Sequence, residues 1–360
     1  KDTDILYRLL YHFTIYWFGF NVFRYVTVRT VLATLTSLFI TIIFGTRIIH
    51  SLKNLCHPNM LDFRQDSKEK TPTMGGLIML GSLLISVLAW TELSNTYILL
   101  LILLSVWLAL IGFWDDYKKL KTQSHKGLRP LAKLGGQASI GLITGVILYF
   151  HSGINFNTSV YMPFFKNIVF HLGIYYILFT VFIIVATSNA VNLTDGMDGL
   201  AIGSVLIVTL AYGIISYITG NANFSSYLNI PFIKGAEEVT VFAGALIGSS
   251  LGFLWFNCYP AAIFMGDTGA LMLGGIIGLL AIIIKQELSL VLVGGIFFVE
   301  ALSVIIQVAS FKLTGRRVFL MTPIHHHFEI KGIPESKVIV RFWIVGIILA
   351  LFTLITLKIR

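Results

Sequence analysis

A small set of acidic residues and histidines stands out in this chain because it lies between long apolar stretches. The acids occur as Asp115-Asp116, as Asp195 with Asp198, and as Asp267, and three consecutive histidines follow nearer the C-terminus. The chain is 56% hydrophobic and only 12% charged, and charged groups close to a membrane core are costly enough to be candidates for function. Carboxylates and imidazoles placed in this way predict a metal-dependent reaction on a phosphorylated, lipid-linked substrate.

Asp267 lies between two glycines in the sequence Phe264-Met265-Gly266-Asp267-Thr268-Gly269. The glycines leave room around its carboxylate, and Mg²⁺ usually binds one or two carboxylates together with substrate phosphates. Asp267 is therefore the predicted Mg²⁺ ligand and a member of the predicted catalytic set. The alternative interpretation is that Asp267 caps a helix that begins near residue 269, and this role is compatible with metal binding.

Asp115 and Asp116 end an apolar stretch. Adjacent helical residues point about 100° apart, so the pair is not expected to clamp one ion by itself. We predict that one acid faces the site as a general base while the other steadies a neighbouring group, since two close carboxylates raise one another's proton affinity. The alternative is an acidic pair that merely ends a membrane span.

Polar side chains recur every three residues at Asn189, Asn192, Asp195 and Asp198. This spacing predicts one polar stripe on an α or 3₁₀ helix. Amides and carboxylates in a stripe suit a nucleotide or a hydrated Mg²⁺. The alternative is a turn capped by Asn and Asp.

His325, His326 and His327 follow Pro323-Ile324 in a segment predicted to be a polar loop. The zinc-protease pattern His-Glu-x-x-His is absent from the sequence, so a phosphate or nucleotide contact through one or two of the histidines is favoured over zinc. A solvated loop is the alternative.

The segment Thr71–Gly76 reads as a helix start, because Thr is a good cap and Pro fits the first turn. The free amides of such a start also suit an anion, and Lys68 is predicted to reach the same phosphate. Simple capping is the alternative.

The composition predicts one all-α integral membrane domain over residues 1–360. The mean hydropathy is +0.85. Residues 1–20 fit either an interfacial helix or a frayed first turn of the first span. The two cysteines, Cys56 and Cys258, have no metal or redox spacing. Ten spans of about 20 residues are predicted, at 26–48, 74–92, 97–114, 131–151, 169–189, 200–218, 239–256, 269–285, 288–309 and 339–358.

The basic residues predict the orientation of these spans. Segments 49–73, 115–133 and 310–341 carry sixteen lysines and arginines, whereas the opposite loops carry three. Because basic loops stay in the cytoplasm, all the acids and histidines named above are expected at the cytoplasmic face. The net charge of +9 is then explained by loop topology and attraction to anionic lipid and not by nucleic acid.

The combined order and spacing of these motifs resemble the phospho-N-acetylmuramoyl-pentapeptide transferase (translocase I) family, within the polyprenyl-phosphate N-acetylhexosamine-1-phosphate transferase superfamily, over essentially the whole chain. The matching pieces are Thr71–Gly76, Gly112–Tyr117, Asn189–Leu200, Gly252–Asn257, Phe264–Gly269, Gln307 and Met321–His327. The sequence departs from the usual pattern in a shorter first cytoplasmic loop before Thr71, in Ala270 and in Thr322.

The resemblance implies a ten-helix, often dimeric enzyme of the bacterial cytoplasmic membrane. The implied reaction transfers phospho-MurNAc-pentapeptide from UDP-MurNAc-pentapeptide to undecaprenyl phosphate with Mg²⁺, giving lipid I and UMP. It implies that Asp115 and Asp116 deprotonate or position the lipid phosphate, and that Asp267 binds Mg²⁺. The implied substrate contacts are Lys68, Thr73, Asn192, Asp195, Asp198, Asn257, Phe264 (which would stack on uracil), Gln307, His325, His326 and His327.

Two other functions remain open from the residues alone. A related enzyme could transfer GlcNAc-1-phosphate to a polyprenyl lipid, and the Pro-Ile-His-His-His element argues against it only through the resemblance. An ion-coupled transporter predicts acids near the bilayer midplane and related halves of the chain, whereas these acids lie at helix ends and the sequence shows no repeat.

Direct attack by the lipid phosphate is favoured over a covalent aspartyl intermediate, because a phosphate oxygen is already a competent nucleophile.

Overall fold

The computed structural model describes residues 18–55, 71–122, 127–151, 158–165 and 168–359. Lys68, Cys56 and most of the predicted interfacial segment 1–20 lie outside them. A 3₁₀ helix, Phe18–Arg24, opens the described chain, and a two-stranded antiparallel sheet pairs β1 (Ser159–Tyr161) with β2 (Val169–His171). The α-helices are α1 Val26–Leu55, α2 Gly76–Trp90, α3 Thr96–Thr122, α4 Pro130–His151, α5 Tyr175–Thr194, α6 Leu200–Thr219, α7 Ala222–Leu228, α8 Ala236–Asn257, α9 Gly266–Ile283, α10 Leu290–Val293, α11 Gly295–Thr314, α12 Ile324–Ile330 and α13 Glu335–Ile359.

The prediction of an all-α, multi-pass membrane protein is confirmed. Nine helices in the described part of the chain have the length and apolar composition to cross a membrane. The second predicted span, 74–92, corresponds to α2, which has 15 residues and is therefore about 22 Å long, shorter than a bilayer core of about 30 Å. The fifth predicted span begins at Tyr175 and not at residue 169, because the preceding residues form the β1–β2 hairpin.

Helix α9 lies at the centre of the bundle. Every residue from Thr268 to Ile283 is buried, and α9 packs chiefly between α3 and α5. A helix that is apolar on all sides belongs in a protein core. The N-terminus of α9, where Asp267 lies, is therefore held by the helices around it.

A buried ion pair joins α1 to α8 at the opposite ends of these helices from the acidic cluster. Arg29 donates to both carboxylate oxygens of Glu238, at 2.5 and 2.9 Å, and each residue is only 4% exposed. Glu238 also accepts from the amide of Glu92, and Arg29 donates to the carbonyl of Trp90. The pair thus fixes the α2–α3 turn against two long helices.

Candidate active site

Three carboxylates converge where α3 meets the start of α9. One oxygen from each of Asp115, Asp116 and Asp267 lies within 4.8 Å of the other two. Asp115 and Asp116 are each 3% exposed. The pair therefore does not stand alone, since each of its acids can offer one oxygen alongside the carboxylate of Asp267.

Asp116 is held by the first turn of α9. Its Oδ1 accepts from the amide of Asp267 at 3.2 Å, and its Oδ2 accepts from the amide and the hydroxyl of Thr268 at 3.0 and 2.7 Å. A carboxylate at a helix N-terminus satisfies otherwise unpaired amides and favours the helix dipole. Asp116 is therefore the acid of the pair that steadies a neighbouring element. Asp267 is not the cap, since α9 begins at Gly266 and Asp267 already lies within it.

Asp115 and Asp267 face lysines instead. The Nζ of Lys119 lies 2.5 Å from Asp115 Oδ2 and 3.0 Å from Asp267 Oδ2, and the Nζ of Lys133 lies 2.8 Å from the same Asp267 oxygen. Asp115 Oδ1 accepts from the amide of Leu128 at 2.7 Å. Two cations therefore offset three clustered carboxylates, and Lys119 bridges two of them.

Gly112 sets the distance between α3 and α9. A Cβ placed on it would lie 2.2 Å from the carbonyl oxygen of Asp267 and 2.5 Å from the Cα of Thr268. No side chain fits there without moving α9, because van der Waals contact needs more than 3 Å. The Gly112-Phe113-Trp114-Asp115-Asp116 order therefore brings two helices into backbone contact one turn before the acids.

The segment 72–76 runs beside Phe264 and Met265. The amide of Phe264 donates to the carbonyl of Pro72, and the amide of Gly75 donates back to the carbonyl of Phe264, at 2.8 and 2.9 Å. Thr73 is half-buried, and its hydroxyl lies beside Gly266. The predicted helix start is confirmed at Gly76, but its cap position is Gly75 and no threonine side chain caps it.

The polar stripe is divided between a helix and a turn. Asn192 lies in α5, which ends at Thr194, whereas Asp195 and Asp198 lie in the turn before α6. Asp198 Oδ2 accepts from the amide of Ala261 at 3.0 Å. The single helical stripe predicted from the spacing is therefore wrong.

Asn257 braces the same turn from α8. Its Oδ1 accepts from the amide of Gly199, and its Nδ2 donates to the carbonyl of Ile263. Asn257 is 3% exposed, whereas Asn192, Asp195 and Phe264 are half-buried. The substrate contacts assigned to these residues stay predictions.

The three histidines lie in α12 and not in a loop, which corrects the sequence prediction. Their rings lie in different environments, as expected because consecutive residues of a helix point in different directions. His325 is fully buried beside Glu300, and the substrate contact assigned to it stays a prediction. His326 Nδ1 lies 2.9 Å from Glu329, and His327 Nδ1 accepts from the amide of Leu320.

Gln307 holds the loop that leads to these histidines. Its Oε1 accepts from the amides of Val318 and Phe319, and its Nε2 donates to the carbonyl of Phe319. Its side-chain amide therefore binds backbone in this structure. The substrate contact assigned to Gln307 stays a prediction.

Sequence reasoning did not assign roles to Lys119, Lys133, Thr268 or Glu300. Lys119 could have been found, because it lies four residues after Asp115 on a helix, the spacing of an ion pair. Lys133 and Thr268 carry no such signal, since they reach the carboxylates from separate elements. Glu300 is an acid within an apolar stretch, which marks a candidate for function.

The carboxylate cluster fits Mg²⁺ by its donors. Mg²⁺ prefers oxygen ligands and often binds through one or two carboxylates plus phosphate oxygens. The cluster offers up to three carboxylate oxygens close together, and imidazole or thiolate ligands, which favour other metals, are not among the described groups of this cluster. The residues therefore suit the predicted metal, and Asp267 stays its predicted ligand.

Comparison with known proteins gives a consistent result. The sequence pattern of the family described as Glycosyl transferase family 4 matches residues 98–285. A phospho-N-acetylmuramoyl-pentapeptide-transferase of Thermodesulfovibrio yellowstonii is 50% identical over 99% of this chain and 100% of its own length. Proteins with the same name from Desulfovibrio desulfuricans and Citrifermentans bemidjiense are each 48% identical, over 96% and 99% of this chain and 97% and 100% of their own lengths.

Proposed function

The chain belongs to the phospho-N-acetylmuramoyl-pentapeptide transferase family, and from this premise we propose how it acts. Its function is phospho-N-acetylmuramoyl-pentapeptide transfer in peptidoglycan synthesis. The proposed donor is UDP-MurNAc-pentapeptide, the proposed acceptor is undecaprenyl phosphate, and the products are lipid I and UMP. The observation that carries the proposal is the convergence of Asp115, Asp116 and Asp267 with two lysines, in a chain about half identical to its relatives.

The proposed reaction is a single displacement. Asp115 takes the proton of the lipid phosphate, an oxygen of that phosphate attacks the β-phosphorus of the donor, and the bond from that phosphorus to the bridging oxygen breaks. UMP leaves with the bridging oxygen. Asp115 suits the base role better than Asp116, because Asp116 accepts three hydrogen bonds from the first turn of α9, whereas Asp115 accepts one backbone hydrogen bond and otherwise pairs with the partly exposed Lys119.

Lys119 and Lys133 are proposed to stabilise the phosphates during transfer. Phosphoryl transfer depends mostly on positioning and on neutralising developing charge, and these ammonium groups already lie beside the carboxylates. Asp267 would hold Mg²⁺. The bound ion would supply a further positive charge for the diphosphate.

The nucleoside is proposed to lie between the turn before α6 and the histidine segment. Asn192, Asp195 and Phe264 would contact it directly, with the ring of Phe264 on uracil. His326 and His327 would contact it from α12. Asp198, Asn257 and Gln307 would act by holding these loops, since their polar atoms bind backbone.

We also propose a single domain in the bacterial cytoplasmic membrane, with the site facing the cytoplasm and two copies forming a homodimer. The support for the orientation is the excess of lysine and arginine on the side that carries the acids. The support for the dimer is the family resemblance. Labelling of Cys258, which is exposed, by a membrane-impermeant maleimide in inverted vesicles but not in intact cells would support this orientation.

The decisive experiment measures UMP release by purified protein in detergent. UDP-MurNAc-pentapeptide and UDP-GlcNAc are compared as donors, with and without undecaprenyl phosphate and Mg²⁺. Release that needs the muramoyl donor, the lipid and Mg²⁺ is expected. Release only from UDP-GlcNAc would assign the chain to the alternative transferase activity. Release of one UMP per enzyme molecule in the absence of lipid, with the phosphosugar left covalently attached to the protein, would refute single displacement.

A further inference from the structure

A second pair of titratable groups lies away from the carboxylate cluster, between α11 and α12. His325 Nδ1 lies 3.1 Å from Glu300 Oε2, and both side chains are completely buried. The helix that carries Glu300 is otherwise strongly apolar. A buried carboxylate is costly unless a partner balances it, so the imidazole and the carboxylate each account for the presence of the other.

The other edge of the His325 ring packs against the turn before α6. A Cβ on Gly196 would lie 2.2 Å from His325 Nε2 and 2.7 Å from Cε1. Only a residue without a side chain leaves the ring this close to the backbone. Gly196 lies directly after Asp195, which is proposed to contact the nucleoside. The ring of His325 therefore joins Glu300 to the nucleoside side of the site.

His325 also lies on the same short helix as the other two histidines, which are half-buried. The ring centroids of His325 and His326 are 4.2 Å apart, and His327 is next along the same short helix. A seven-residue helix has little stability alone, so its placement depends on contacts such as the buried ring. The ring of His325 therefore contacts both Glu300 on α11 and Gly196 in the turn at 195–199.

We propose that Glu300 is a positioning residue for donor binding. Its carboxylate holds His325 with a proton on Nδ1, as a carboxylate commonly orients an imidazole through one ring nitrogen. The oriented ring then fixes the distance between His326 and Asp195 on the two walls of the nucleoside pocket. This inference rests on the proposed function and adds to it a buried residue that touches no substrate.

The test compares Glu300→Gln with Glu329→Gln in full-length protein in detergent. Glu329 is the matched control, since its carboxylate lies 2.9 Å from the neighbouring histidine but is 49% exposed. Glu300→Gln is expected to raise the KM for the UDP-linked donor about tenfold, with a smaller change in kcat and no change in KM for the lipid phosphate. Glu329→Gln is expected to leave all three constants unchanged.

Two results would overturn the proposal. A purely structural role predicts a lower unfolding temperature and less folded enzyme, with an unchanged donor KM for the molecules that fold. A different route of action predicts that Glu300→Gln raises the donor KM further in a His325→Gln background, whereas the proposal expects no further rise there.

Histidine-selective nitrogen NMR of the wild-type protein covers the case in which Glu300→Gln does not fold. The resonance of His325 is identified by its loss in His325→Gln, and the proposal expects a protonated Nδ1. A bare Nδ1 overturns it. Because this measurement needs no turnover, it also separates the two proposals: a wild type that releases no UMP refutes the proposed function, while the NMR result still decides the pairing.

Discussion

Replacing Asp116 with alanine should destabilise the protein more than replacing Asp115, although both changes should remove turnover. Asp116→Ala leaves the amides of Asp267 and Thr268 without their acceptor in a buried position. Each unsatisfied amide costs about 1–3 kcal/mol, and the lost charge at the helix N-terminus adds about 0.3–2 kcal/mol. Relief of burying a carboxylate offsets part of this, so a net loss of about 2–4 kcal/mol is expected.

Asp115→Ala should lower the free energy of unfolding by less than Asp116→Ala. Its carboxylate accepts from one backbone amide, that of Leu128, and pairs with Lys119, whose side chain is 35% exposed. An ion pair with a partner this exposed contributes about 0–1 kcal/mol, which places the whole change near 1–2 kcal/mol. The two single-residue variants differ by one position on the same helix, so each is the control for the other.

The two variants are compared by thermal unfolding in detergent, followed by intrinsic tryptophan fluorescence or by a thiol-reactive dye. Their activity is measured as UMP release. The Asp116 variant should unfold several degrees below the Asp115 variant. Equal unfolding temperatures would show that the hydrogen bonds from α9 to Asp116 contribute no net stability. The assignment of Asp115 as base and Asp116 as brace would then have no support from stability.

Three further changes test other parts of the structure. Asp267→Asn should abolish Mg²⁺-dependent UMP release while the protein still folds, and activity retained at ordinary Mg²⁺ would remove Asp267 from the metal role. Gly112→Ala should lower both activity and unfolding temperature, because its Cβ would overlap the backbone at residue 267, whereas Gly81→Ala, with no atom within 4 Å of its Cβ, should do neither; equal effects would contradict the close-contact argument. Glu238→Gln should cost about 3–5 kcal/mol by leaving Arg29 buried without its counter-charge, measured by thermal unfolding, and an unchanged unfolding temperature would contradict it.

The sequence was sufficient for the membrane class and for the approximate position of each span. Apolar stretches of about 20 residues predict spans directly, and each of the ten predicted stretches overlaps a helix. It was insufficient for α2, whose apolar stretch includes residues that pair with Phe264 and not with their own helix. Hydropathy records which residues avoid water and does not distinguish a span from an apolar segment packed inside the protein.

The sequence also identified Asp267 and the Asp115-Asp116 pair but not how they meet. Their convergence depends on the close approach of α3 and α9 at Gly112, a contact between residues 155 positions apart that no local pattern records. The histidine segment was misjudged for a related reason. Its polar composition predicts a loop, whereas the segment forms a helix in which His325 is buried 3.1 Å from a distant acid.

The two halves of the proposed site are held by different kinds of contact, and this difference predicts how their variants should behave. The carboxylates lie where buried helices meet, and the first turn of α9 is fixed by Asp116. The nucleoside side consists of turns and a short helix braced by single side chains such as Gln307 and Asn257. Rigid placement favours the reacting groups, because their stabilisation of the transition state depends on preorganisation. Loosening a brace should therefore change KM for the donor first, whereas altering the carboxylate side should change kcat.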